Sequence, residues 1–124
     1  PLACCTSNLI PRGGAGYVYL ESANLFEDAF ALLKEVSGVE EIYSRSEAAD
    51  QFNLHPDRIG DIFLLGERDV VFGDLGGMMR DEVDIRSHGS RYEATVPVIC
   101  YGRSVDASRY QRSMDLTRNF VWDD

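Results

Sequence analysis

An unbroken apolar run, Ile62-Phe63-Leu64-Leu65, opened by Gly60-Asp61, constrains the fold more than any other stretch of this chain. Consecutive apolar residues between turn formers describe a strand buried on both faces, because a strand with one wet face alternates. At 124 residues the chain suffices for one hydrophobic core and is short for two. The expectation is therefore a single domain over 1–124, with a loop-like lead-in at 1–16, a core at 17–104 and a C-terminal segment at 105–124.

The other elements follow from local chemistry. Pro11-Arg12-Gly13-Gly14-Ala15-Gly16 reads as loop and runs into the strand-like Tyr17-Val18-Tyr19-Leu20. Asn24 with Glu27 three residues on has the form of a capping box, and Phe26, Ala29, Phe30, Leu33 and Val36 recur at helical spacing, predicting a helix over 25–36 that stops at Ser37-Gly38. A strand over 39–43 and a short helix capped by Ser44 or Ser46 come next. Gly66-Glu67-Arg68-Asp69 would join the Ile62 run to Val70-Val71-Phe72 as a hairpin, and 73–87 reads as a long surface loop. Val96 to Tyr101 is expected as a final strand and 105–124 as a terminal helix. This order describes an α/β (α+β) sandwich with one mixed or antiparallel sheet and helices on one face, and a ferredoxin-like arrangement satisfies it.

Charge and cysteines narrow the partners. With 21 acidic against 12 basic side chains, a net charge of −9 and Lys34 as the sole lysine, the surface repels nucleic-acid phosphates and anionic lipid. No stretch approaches the roughly 20 apolar residues that cross a bilayer. Three cysteines cannot all pair, and the adjacent Cys4 and Cys5 are poorly placed to bridge each other, so a reducing, cytoplasmic setting is expected. The chain opens on Pro1 rather than methionine, which suggests processing or a piece of something longer.

Arg86-Ser87-His88-Gly89-Ser90-Arg91 precedes the Val96 run and places an imidazole on a tight turn beside an expected strand, a setting in which histidine can bind metal or simply sit in solvent. His55, in Asn53-Leu54-His55-Pro56-Asp57, stands before a proline that pushes it out of helical geometry and reads as a structural turn residue rather than a metal ligand. Asp81, Asp84 and Glu93 are carboxylates near His88 that read first as solvated charges, and Ser90 and Thr95 are hydroxyls with no positioned base. Arg86 and Arg91 flank His88 and either contact an anionic substrate or pair with surrounding acids.

In order, Gly16-Tyr17-Val18-Tyr19-Leu20, Val39-Glu40-Glu41-Ile42-Tyr43, Ser46-Glu47-Ala48-Ala49, Arg58-Ile59-Gly60-Asp61, Ser87-His88-Gly89-Ser90 and Val96-Pro97-Val98 resemble the C-terminal part of the phosphonoacetate hydrolase family, in the nucleotide pyrophosphatase-like branch of the alkaline phosphatase superfamily. The resemblance spans about 15–101, with Arg-Ile-Gly-Asp and Ser-His-Gly its most specific points. It implies a fragment of an alkaline phosphatase-like fold. It also implies chemistry in which two zinc ions polarise a phosphonyl group while a threonine or serine attacks it. His88 is the one position that matches a zinc ligand of that family. The nucleophile and other ligands, including an Asp-His pair absent from this sequence, have no counterpart here, so no catalytic residue is assigned and the substrate-binding residues are left open.

Three functions remain open on this reading. One is a fragment of a zinc-dependent hydrolase that cleaves phosphonoacetate to acetate and phosphate, inactive in isolation. Another is the same scaffold acting on phosphodiesters or nucleotides. The last is a non-catalytic binding or oligomerisation domain. A small anionic phosphonate or phosphoester is the implied substrate, and a segment that normally extends a larger sheet would expose apolar surface, so homo-oligomerisation is a further expectation.

Overall fold

The computed structural model describes residues 13–73, 81–102 and 104–121, the last three by backbone alone. The chain falls into two compact units, Pro1–Ala94 and Thr95–Asp124. The first unit holds a three-stranded antiparallel sheet in the order β1-β3-β2, with β1 Ala15–Val18, β2 Val39–Ser44 and β3 Ile62–Gly66. Two helices connect them: α1, Phe26–Lys34, between β1 and β2, and α2, Arg45–Phe52, between β2 and β3.

The apolar run forms the central strand, and every residue of β3 is buried. Its side chains alternate between two cores. Ile62 and Leu64 join Val18 of β1 and Ala29 of α1, with Phe26, Phe30 and Leu33 packed against them. Phe63 and Leu65 turn the other way, to Ala48 of α2 and Ile59, with Tyr17, Tyr43 and Phe52 around them. The antiparallel sheet with helices is as expected, but the helices cover opposite faces rather than one. A strand apolar on both sides leaves one face wet if both helices share the other.

Pairing of β1 and β3 runs from Ala15 opposite Leu65 to Val18 opposite Ile62, so β1 starts within the stretch read as loop. The order β1-β3-β2, with β3 antiparallel to both neighbours, is the order of the split βαβ core of a ferredoxin-like arrangement, from which the chain departs by the helix between β2 and β3 and by helices on opposite faces. Val70–Phe72 makes no hairpin with β3. Instead Phe72 forms an isolated bridge with Gly13, its N–H donating to the Gly13 carbonyl at 2.8 Å.

Two helix starts show contrasting chemistry. Ser44 caps α2 in a reciprocal box: its hydroxyl accepts from the Glu47 N–H, and the Glu47 carboxylate accepts from the Ser44 N–H at 2.8 Å. The Asn24–Glu27 box does not form. A 3₁₀ turn over Ala23–Leu25 leads into α1, whose N-cap is Leu25 without a side-chain bond.

The Arg58-Ile59-Gly60-Asp61 stretch ties the unit together. The Asp61 N–H donates to the Val18 carbonyl at 2.8 Å, and its carboxylate accepts from the Leu20 N–H at 2.8 Å and from Arg45 Nη2 at 2.8 Å. Its carbonyl accepts from the Arg45 N–H at 3.0 Å. Gly60 is buried where an added Cβ would lie 2.6 Å from the Val18 oxygen, so only glycine admits this approach.

In the second unit, the segment 96–101 is not a strand. Val96, Val98, Ile99 and Tyr101 are exposed, Tyr101 fully. A 3₁₀ turn at Ala107–Arg109 and α3, Ser113–Val121, make up the terminal helical part. Cys100 is a free thiol. Cys4 and Cys5 lie outside the described residues, as does 1–12 of the expected lead-in. Among the described residues no helix is long and apolar enough to cross a membrane.

Candidate functional site: the His88 turn

The candidate site is built on a backbone contact between the first strand and the Ser87–Glu93 segment. Gly13 and Gly14 are buried ahead of β1, and the Gly14 N–H donates to the His88 carbonyl at 2.9 Å. A Cβ on Gly14 would sit 2.5 Å from the Ser90 Cβ and 2.9 Å from its backbone nitrogen. The glycine pair therefore lets two backbones touch. Gly89, at φ +92°, takes the left-handed conformation that reverses the chain beside Ala15.

A 3₁₀ turn at Arg91–Glu93 follows and is closed by another reciprocal cap. The Ser90 hydroxyl accepts from the Tyr92 N–H at 3.2 Å, and the Glu93 carboxylate accepts from the Ser90 N–H at 3.0 Å. Ser90 and Glu93 are thus engaged in shaping the turn. Arg91 pairs with Glu41 of β2, the ion-pair alternative for that arginine. The Tyr92 hydroxyl donates to Glu40 Oε1 at 2.7 Å, and the Arg68 guanidinium lies 4.4 Å from the Tyr92 ring centre.

These contacts leave a chemical signature. The hydrogen bond to Glu40, with desolvation and the Glu40 charge, raises the Tyr92 phenol above the ordinary tyrosine value, against a smaller opposite effect of Arg68. Tyr43 is raised in the same way, first by its hydrogen bond to Glu41. Beside the turn lies a cavity of about 370 Å³ lined by Gly14, Arg68, Val70, Ser87, Ser90 and Tyr92 among others.

His88 itself is exposed on this turn, its backbone fixed by Gly14. A firmly held catalytic zinc takes three protein ligands and an open position. Among the described residues no three His, Cys, Asp or Glu side chains come together for a metal. The neighbouring carboxylates serve elsewhere or face solvent: Asp81 accepts from the Glu82 N–H at 2.9 Å, Glu93 caps the turn, and Asp84 is exposed. The described donors do not fit a complete zinc centre. His55 accepts from the Asp57 N–H at 3.3 Å through Nδ1 and is a turn residue. Thr95 and Arg86 are exposed.

Sequence reasoning missed the residues that hold the turn: Gly13, Gly14, Glu40 and Glu41. The glycines carried a usable signal, since two glycines ahead of a strand mark a close backbone approach as well as a loop. The paired glutamates carried none, because their partners are 50 and 52 residues away.

No family model matches the chain. Solved structures do. Phosphonoacetate hydrolase from Sinorhizobium meliloti, in complex with phosphonoformate, is 32% identical at a TM-score of 0.57, over 66% of this chain and 21% of that one. The same enzyme in complex with phosphonoacetate is 28% identical at a TM-score of 0.57, over 72% of this chain and 23% of that one. The chain thus spans between a fifth and a quarter of the length of these structures. Over the matched residues this chain is similar, in sequence and in fold, to a part of phosphonoacetate hydrolase.

Proposed function

We propose that this chain forms the His88-bearing segment of a zinc-dependent hydrolase that acts on a small anionic phosphonate. Phosphonoacetate is the substrate of choice, with water cleaving its carbon–phosphorus bond to give acetate and phosphate. The observation that carries this reading is the joint likeness in sequence and fold to an enzyme solved with phosphonoacetate and phosphonoformate bound. His88 supplies one imidazole to the metal, and the nucleophile and remaining ligands come from residues other than those described. A lone imidazole binds zinc weakly, so the segment by itself turns nothing over.

Zinc titration by calorimetry tests the reading. The chain should take up zinc weakly, and His88→Ala should bind at least about 10-fold more weakly, given the single strong donor it removes. Equal uptake by both removes His88 from the metal site. Release of phosphate from phosphonoacetate by the isolated chain would refute the dependence on further residues.

A further inference from the structure

A strand that pairs regularly points neighbouring side chains to opposite faces. In β2 this rule is broken at one place. Val39 lies opposite Gly66 and Glu41 opposite Leu65, so Glu40 is an extra residue, a β-bulge. The two successive carboxylates of Glu40 and Glu41 both meet the same 3₁₀ turn, Glu41 through Arg91 and Glu40 through the Tyr92 hydroxyl. The turn they grip is continuous with His88, whose carbonyl is tied to Gly14.

We infer that the Glu40-Glu41 bulge is a latch that positions His88. Bulges re-aim side chains next to functional sites, and this one converts a strand edge into a two-pronged acidic clamp. Glu41 is itself braced from behind, since its second oxygen accepts from the Tyr43 hydroxyl, which in turn accepts from Gln51 Nε2 of α2 at 3.2 Å. The Arg68 guanidinium on the Tyr92 ring holds the outer side. Glu40 and Glu41 are positioning residues, and their effect on a metal rests on the reading of His88 as a ligand. Their effect on the turn does not.

Amide hydrogen exchange of the intact chain separates the two. The Gly14 N–H is protected by the His88 carbonyl, so it reports docking of the turn. Exposed polar contacts of this kind shift equilibria modestly. Glu41→Ala and Arg91→Ala should each speed Gly14 exchange about 2- to 5-fold, and Glu40→Ala with Glu41→Ala about 10-fold, while the β3 amides keep wild-type rates. Glu40→Gln retains an acceptor for Tyr92 and should stay near wild type, and the exchanged pair Glu41→Arg with Arg91→Glu should regain protection. Wild-type Gly14 exchange in the double alanine variant overturns the latch. Should zinc bind wild type, its affinity should fall in step with Gly14 protection across the series. Zinc uptake unaffected by His88→Ala strikes the metal reading alone and leaves the latch to the Gly14 result.

Discussion

Gly60→Ala is the sharpest test of how the Arg-Ile-Gly-Asp stretch works. The φ of Gly60 lies outside the left-handed region, so alanine carries no conformational penalty and the whole effect is steric. The new methyl would lie 2.6 Å from the Val18 oxygen and 3.0 Å from the Tyr17 Cβ, and relieving the first contact to 3.4 Å asks for roughly 0.8 Å of movement. That movement stretches the Asp61 N–H to Val18 bond, now 2.8 Å, out of hydrogen-bond range. It also drags the Asp61 carboxylate off the Leu20 N–H. One neutral and one charge-assisted bond, lost with some overpacking strain, amount to about 2–4 kcal/mol. Thermal unfolding followed by far-UV circular dichroism should show Tm lowered by roughly 10–20 °C. Gly16→Ala is the control. Its Cβ would find the Phe72 side chain nearest, the ring at 3.3 Å, and a side chain can give way, so the loss should stay below about 1 kcal/mol. Equal losses in the two variants would refute the reasoning, because they would show that backbone crowding at Val18 is not what requires glycine at 60.

Other perturbations probe different links. Ile62→Ala empties a fully buried position between β1 and α1 and should lower unfolding free energy in urea by about 2–5 kcal/mol, whereas a change below 1 kcal/mol would deny that cluster its role as core. Bonds from Ser44 hold the Glu47 carboxyl below the usual glutamate range. A depressed carboxyl stabilises the fold above its unfolded value and loses that contribution as pH falls through the folded one. Wild type should therefore lose α2 helicity on acidification in a step that Glu47→Gln lacks, and identical acid profiles would contradict the cap. Tyr92 has the opposite sign: its raised phenol supports docking below the ordinary tyrosine value and ceases to do so as pH rises through the folded one. Gly14 exchange, corrected for its intrinsic pH dependence, should lose protection at high pH in wild type and show no such step in Tyr92→Phe.

What could be read in the sequence was whatever depends on near neighbours. The β3 strand and a serine cap for α2 were legible because an apolar run and a serine ahead of a helical stretch carry their reasons within a few residues, although the choice between Ser44 and Ser46 came only with the structure, which takes Ser44. The Asn24-x-x-Glu27 spacing looked equally good and failed, because a 3₁₀ turn at Ala23–Leu25 carries the chain into α1 and leaves Leu25 at the N-cap. Helix placement was misjudged although Ile62–Leu65 already demands cover on both sides. Val96–Tyr101 has strand-like residues, yet pairing needs a partner that no propensity supplies, and in this structure its apolar side chains stand in solvent. The site follows the same rule. His88 beside Gly89 was visible as a turn, while the grip of Gly14 and of Glu40-Glu41 on that turn comes from parts of the chain far away in sequence.

Asp61 links the ends of β1 and β2 and the start of β3 through one residue's main-chain and side-chain groups. The junction couples three segments, since the Leu20 N–H and the Arg45 guanidinium hold the two oxygens of one carboxylate, and loosening either leaves that carboxylate with one partner fewer. Loosening at any one of these points therefore weakens the sheet from which Gly14 reaches the His88 turn.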